Sequence, residues 1–137
     1  MSATTPMTSF SDITKFIYAG KSIFTLRSRR TDDHFTYKVK KKNDGIYYVF
    51  VLSDGYEYIG TIKNRNFFPS KKDGRSLDEL PLRAFKWSID HIQNGKVPSE
   101  LEFYHEGRCA RCSRRLTDPT SLKTGIGPEC RSKIVCN

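Results

Sequence analysis

The sequence predicts an α+β fold: an antiparallel β-meander packed on one amphipathic helix, followed by a small C-terminal module organised around cysteines. Three observations carry this reading. Residues 22–62 alternate apolar and polar side chains between turn-forming residues, Leu82, Phe85, Ile89 and Ile92 recur at helical spacing, and a histidine and three cysteines crowd residues 105–130.

The strands come first. "SIFTLRS" (22–28) leads through the polar turn "RRTDDH" into "HFTYKVKKK" (34–42), where Phe35, Tyr37 and Val39 alternate with Thr36, Lys38 and Lys40. Period two of this kind gives one apolar and one basic face. Asp44-Gly45 is a strong hairpin signal, and the aromatic and β-branched run "IYYVFVL" (46–52) behind it reads as a strand buried on both faces. Ser53-Asp54-Gly55 then turns the chain into a fourth strand, "YEYIGTI" (56–62).

"NRNFFPSKKDGRS" (64–76) reads as a loop with a basic middle. The helix is expected across "LPLRAFKWSIDHIQ" (80–93), with Gly95 standing just past its end as a stop signal. "VPSELEFYH" (97–105) is a short extended lead into the cysteines. The expected organisation is a flexible N-terminus over 1–11, a meander-plus-helix domain over 12–100 and a metal-binding module over 101–137.

Composition bounds the function. A chain of 137 residues fits one domain with at most a small appendage. Such a chain buries roughly 70% of its extended surface, so no metal is needed to rescue the whole fold. Twenty-four Lys and Arg against fifteen Asp and Glu give a net charge of +9, which draws the protein to polyanions, foremost nucleic acid. No apolar run approaches the ~20 residues that span a bilayer, and the first residues lack the basic and apolar regions of a leader, so a cytoplasmic protein without membrane contact is expected.

In a reducing compartment, four cysteines with three of them clustered read as metal ligands before they read as disulfides. Cys109 and Cys112 form a CxxC, and Cys130 lies eighteen residues beyond the second of them. Zinc takes four ligands in a tetrahedron, and a CxxC turn presents two thiolates whose neighbouring backbone N–H groups bond the sulfurs. Asp118-Pro119, a helical turn around "TSLKT", and Gly125 and Gly127 suit a return that brings Cys130 over that turn, forming a zinc knuckle or treble-clef-like module. His105, delivered by the preceding strand, is the favoured fourth ligand, and Cys136 is its competitor.

A redox CxxC belongs at a helix start inside a βαβ surround, which a meander does not supply. A closed set of protein ligands, with neither HExxH nor a His-x-Glu base nearby, points to a structural zinc and a non-enzymatic protein. "AGKS" (19–22) ends like a phosphate-binding loop but lacks its first glycine and its following helix.

The stretch "HEGRCARCSRRLTDPTSLKTGIGPEC" (105–130) resembles a motif, H-x-G-x-C-x-x-C-G-R-x-L-T-x-P-x-S-I-x-x-G-I-G-P-x-C, found near the C-terminus of a functionally uncharacterised family of phage, prophage and bacterial proteins. "AGKSIFTLRSRRTDDHFTYKV" (19–39) is also similar, more loosely, to the opening of phage members. The resemblance implies a zinc module with His105, Cys109, Cys112 and Cys130 as ligands, Gly125, Gly127 and Pro128 as the return loop, and a phage or mobile-element setting in a host cytoplasm. The chain departs from the motif at Ser113, where glycine is usual, so a non-glycine residue there has to accept a positive φ.

Two functional readings follow. The first is nucleic-acid binding: residues 14–42 hold nine Lys and Arg against two Asp, beside aromatic side chains, and arginines flank the CxxC. Its contacts are expected from Arg29, Arg30, Lys38, Lys40, Arg111, Arg114 and Arg115, with two or three of Tyr47, Tyr56, Tyr58 and Phe68 exposed for stacking on bases. The second is a modulator of a host protein such as a defence component, with an anionic nucleotide pocket between sheet and zinc module as a further possibility.

Overall fold

The structure, a computed structural model, describes residues 6–70, 78–117, 119–127 and 130. The chain order is α1 (Phe10–Ile17), β1 (Lys21–Ser28), β2 (His34–Asn43), β3 (Ile46–Leu52), β4 (Tyr56–Lys63), β5 (Asn66–Pro69), α2 (Leu80–Gln93), β6 (Leu101–His105) and α3 (Pro119–Thr124). The strands form one antiparallel sheet in the order β5-β4-β3-β2-β1-β6. The α+β class and the four-strand meander are as the sequence predicts. Two more strands extend the sheet at its edges.

β5 occupies the start of the expected loop, because Gly60 lets it close on β4. A Cβ at Gly60 would stand 2.4 Å from the Phe68 carbonyl oxygen and 2.6 Å from the Phe67 ring. β6 is the stretch expected only as a lead into the cysteines. It pairs with β1 from Phe24↔His105 to Ser28↔Leu101, so a domain boundary drawn before residue 101 cuts through the sheet.

The expected flexible N-terminus also needs correction where it is described. Met7 is buried and bridges Phe103, the Ser9 hydroxyl caps α1 by accepting from the Asp12 amide at 3.3 Å, and Ile13, Phe16 and Ile17 are buried. With apolar residues only three and four apart in an eight-residue segment, α1 gains its stability from packing rather than from its own length.

Both longer helices cover the same face of the sheet. Phe24 of β1 stacks on Phe103 of β6 at 4.6 Å and on Phe85 of α2 at 6.4 Å, and meets Phe16 of α1 edge-on at 6.2 Å. Tyr37 and Phe67 close on Phe85 at 4.8 and 4.9 Å. The Tyr37 hydroxyl donates to the Pro81 carbonyl at 2.6 Å, which fixes the start of α2 over β2; burial pushes this phenol far above its ordinary range.

The opposite face has no described helix on it. β3 therefore differs from the expected strand buried on both sides: Tyr47, Val49 and Val51 point into the core, while Tyr48 and Phe50 are half-buried on the outer face and Leu52 is exposed. Among the described residues no helix is long and apolar enough to cross a membrane.

Candidate metal centre and cationic sheet face

The cysteine segment begins where β6 ends. Arg108 and Arg115 form an antiparallel bridge, and between them the Cys109 amide donates to the Arg114 carbonyl at 2.8 Å while the Ser113 amide donates to Cys109 O at 2.9 Å. This closes a tight turn that holds Cys109 and Cys112 on one side. Ser113 takes φ 66°, the left-handed conformation that its place after the CxxC requires.

The turn is tied to the rest of the molecule by backbone. The Lys21 amide of β1 donates to Ala110 O at 2.7 Å, and the Ala110 amide to Gly125 O at 3.0 Å. Gly125, at φ 75°, lies so close to Phe16 of α1 that a Cβ would stand 2.3 Å from the ring. Only glycine satisfies both demands at once. From there Ile126 and Gly127 carry the chain back, and Cys130 is buried beside the turn.

The three sulfurs of Cys109, Cys112 and Cys130 lie within 4.8 Å of one another, with the first and third buried and the second exposed. Three thiolates each ~2.3 Å from one tetrahedral ion stand just under 4 Å apart, so the group is close enough to hold a metal. Burial pushes the Cys109 thiol up, but the amides of Gly127, Cys112 and Arg111, with Cys130 beside it, outweigh burial and leave it below the ordinary thiol range. The Arg111 amide is 3.4 Å from that sulfur. Burial holds Cys130 above the ordinary value despite the Arg111 guanidinium at 3.7 Å.

His105 lies outside this group of donors. Its Nδ1 accepts from the Gly107 amide at 2.8 Å and its Nε2 contacts the Leu122 carbonyl oxygen at 2.5 Å, so both ring nitrogens are spent inside the fold. An amide donor at Nδ1 and a carbonyl at Nε2 require the neutral tautomer with its proton on Nε2. The buried ring also lies 5.8 Å from Phe16, where it joins the core. The strand expected to deliver a ligand sets this ring against α3. Cys136, the competing ligand, lies outside the described residues.

The basic residues expected to act together are spread over three places. Arg29 and Arg30 sit at the β1–β2 turn, and Arg29 pairs with Glu102 at 3.1 Å. Arg111, Arg114 and Arg115 belong to the cysteine turn. Lys38 and Lys40 stand on the outer sheet face with Lys21 of β1, whose register partner is Lys40. Burial, then the charges of Lys21 and Lys40, holds the Lys38 ammonium below its ordinary range.

That ammonium lies 4.5 Å from the Tyr56 ring centre and 5.0 Å from that of Phe50; Lys42 lies 5.5 Å from Tyr48. Tyr56, Tyr58 and Phe68 are exposed, at 36%, 38% and 54%, whereas Tyr47 is buried and donates to the Tyr18 carbonyl. A bulge in β4 is responsible for part of this surface. The register jumps from Val49↔Gly60 to Phe50↔Tyr58, so Tyr58 and Thr61 share the outer face and bond at 2.6 Å although they are three residues apart. Tyr58, Thr61, Lys63 and Phe68 border a depression of about 260 Å³. Sequence reasoning missed Tyr48, Phe50 and Lys21; the alternation of β3 was the signal, and its apolar richness masked it.

These features define an α+β protein with a six-stranded antiparallel sheet, one face that carries no helix among the described residues and a C-terminal cluster of three cysteines able to hold a metal ion. Residues 99–135 match the model of a family of unknown function, DUF6011. The matched stretch contains β6, the cysteine turn and α3, and leaves β1–β5 outside it. No curated protein and no solved structure matches the chain.

Proposed function

We propose that this is a non-enzymatic protein that binds single-stranded nucleic acid on the helix-free face of its sheet, with zinc as a structural element of the C-terminal segment. The observation that carries the reading is Lys38, crowded by Lys21 and Lys40 and seated over the rings of Phe50 and Tyr56. Like charges held together destabilise one another until an anion arrives, so a phosphate relieves this cluster. Aromatic side chains beside it offer stacking to any base, which is the recurring design of single-strand binders. A duplex keeps its bases stacked internally and cannot use them.

The donor set supports zinc over harder cations, since thiolates favour zinc and iron–sulfur clusters over magnesium or calcium. Cys109, Cys112 and Cys130 would hold the ion, which when bound supplies a cross-link between the turn and the returning chain. His105, with both nitrogens engaged, does not serve as the fourth donor in this reading. The sequence offers Cys136 as a further thiol.

The test is a salt titration of fluorescence anisotropy with single-stranded and duplex oligonucleotides. Single strands are expected to bind more tightly, with affinity falling by a factor of ~10 or more between ~50 and ~200 mM salt. Absence of binding at low salt, or affinity that ignores salt, overturns the proposal.

A further inference from the structure

On the helix side of the sheet, away from the lysine cluster, a groove of about 510 Å³ opens between the β1–β2 turn and the first two turns of α2. Its volume is that of a small-molecule site. Leu26, Phe35 and Leu101 contribute apolar lining, and α2 presents Leu80, Arg83 and Trp87 along its groove-facing stripe. Trp87 is 39% exposed, with its ring 4.4 Å from that of His91 on the same helix.

The charged lining is balanced. Arg27 is already bound, to Asp32 at 2.6 Å and to Glu102 at 2.5 Å. Arg30, from the turn, and Arg83, from α2, have no ion-pair partner among the described residues. Asp33 and Glu100 add two carboxylates to the same groove. A simple polyanion would meet repulsion there. The ligand that matches combines an anionic group, an edge of N–H donors and a flat ring.

We infer that this groove binds a guanine mononucleotide, its base on Trp87, its phosphate between Arg30 and Arg83, and its N1–H and N2–H edge toward Asp33 or Glu100. Guanidinium groups bind phosphate in paired, charge-assisted hydrogen bonds, and a carboxylate accepts only from a donor edge. Guanine offers two adjacent donors; adenine offers a single amino group beside a ring nitrogen that would face the carboxylate as an acceptor. The site is separate from the sheet face and stands or falls independently of single-strand binding.

Trp87 is the sole tryptophan of the chain, so its fluorescence reports on this groove alone. The full-length protein is titrated with GMP, AMP and guanosine at constant ionic strength. GMP is expected to change the indole emission saturably, with AMP and guanosine weaker by about fivefold or more. Arg30→Gln and Arg83→Gln are expected to weaken GMP by about fivefold each while leaving the melting temperature in place. No saturable change up to about 5 mM GMP, an affinity too weak for a built site, overturns the inference. So does guanosine binding as tightly as GMP, or AMP binding as tightly as either.

Discussion

The imidazole of His105 reaches the Leu122 carbonyl oxygen at 2.5 Å, joining the last strand of the sheet to α3 across seventeen residues of sequence. Because its other nitrogen accepts from Gly107, removing the ring strands one buried amide and one part-buried carbonyl rather than a metal bond. His105→Ala is therefore expected to keep the metal content of wild type, measured by mass spectrometry of freshly purified protein, and to lose about 2–4 kcal/mol of stability. Cys112→Ser, at an exposed position, is expected to lose the metal. If metal departs with His105 as completely as with Cys112, the histidine is a ligand and the assignment is wrong. Cys136→Ser, measured alongside, is expected to lower metal content if that thiol completes the tetrahedron.

Lysines and aromatics on the outer face are separable by their salt response. Lys38→Gln is expected to reduce the slope of log affinity against log salt by about 0.7 for a single strand, the share of one phosphate. Tyr58→Ala and Phe68→Ala are expected to cost about 1–3 kcal/mol with the slope unchanged. An unchanged affinity in all three variants would place binding elsewhere.

Gly125 meets two constraints, a left-handed φ of 75° and a Cβ position 2.3 Å from the Phe16 ring. Gly125→Ala is expected to lower stability by about 2–4 kcal/mol, combining backbone strain with overpacking. Thermal melting of the variant beside Phe16→Leu, Gly125→Ala separates the two, since the smaller side chain should recover part of the loss. No change on Gly125→Ala would mean that α1 is not seated against the returning chain.

Glu102 accepts from Arg27, and from Tyr104, which together with nearby Arg29 hold its carboxyl below the ordinary range despite partial desolvation. A carboxyl depressed in the folded state stabilises the protein above its unfolded pKa, and that contribution fades as pH falls through the folded value. Wild type is thus expected to lose stability faster than Glu102→Gln as pH drops below about 4.5. Parallel curves of melting temperature against pH for the two proteins would remove this pair from the acid response.

Much of the architecture is legible in the residues. The alternation of Phe35, Tyr37 and Val39 marks β2, the spacing of Leu82, Phe85, Ile89 and Ile92 marks α2, and Ser113 adopts the positive φ that its place after the CxxC demands. α3 lies at the helical turn expected around "TSLKT". What was hidden depends on long-range contact. β5 is four residues long and gains strand form from Gly60 across the hairpin, and β6 is a strand only because β1 offers it an edge. The bulge that turns Tyr58 outward leaves no periodic trace, and a histidine four residues before a CxxC looks the same whether it meets a metal or a carbonyl. Local pattern cannot distinguish these; the partner decides.

Met7 and Phe103 share a bridge, and Phe103 in turn lines up against Leu26. The segment before α1 and the strand after α2 are thus stitched to one another at one edge of the sheet. A chain still attached to the ribosome can build the hairpins, whose pairings are local, but must hold Phe16 and Phe24 exposed until residues 101–105 have emerged. Completion of the hydrophobic interior therefore waits on a pairing between segments far apart in sequence, slowed by the loop that must close before it.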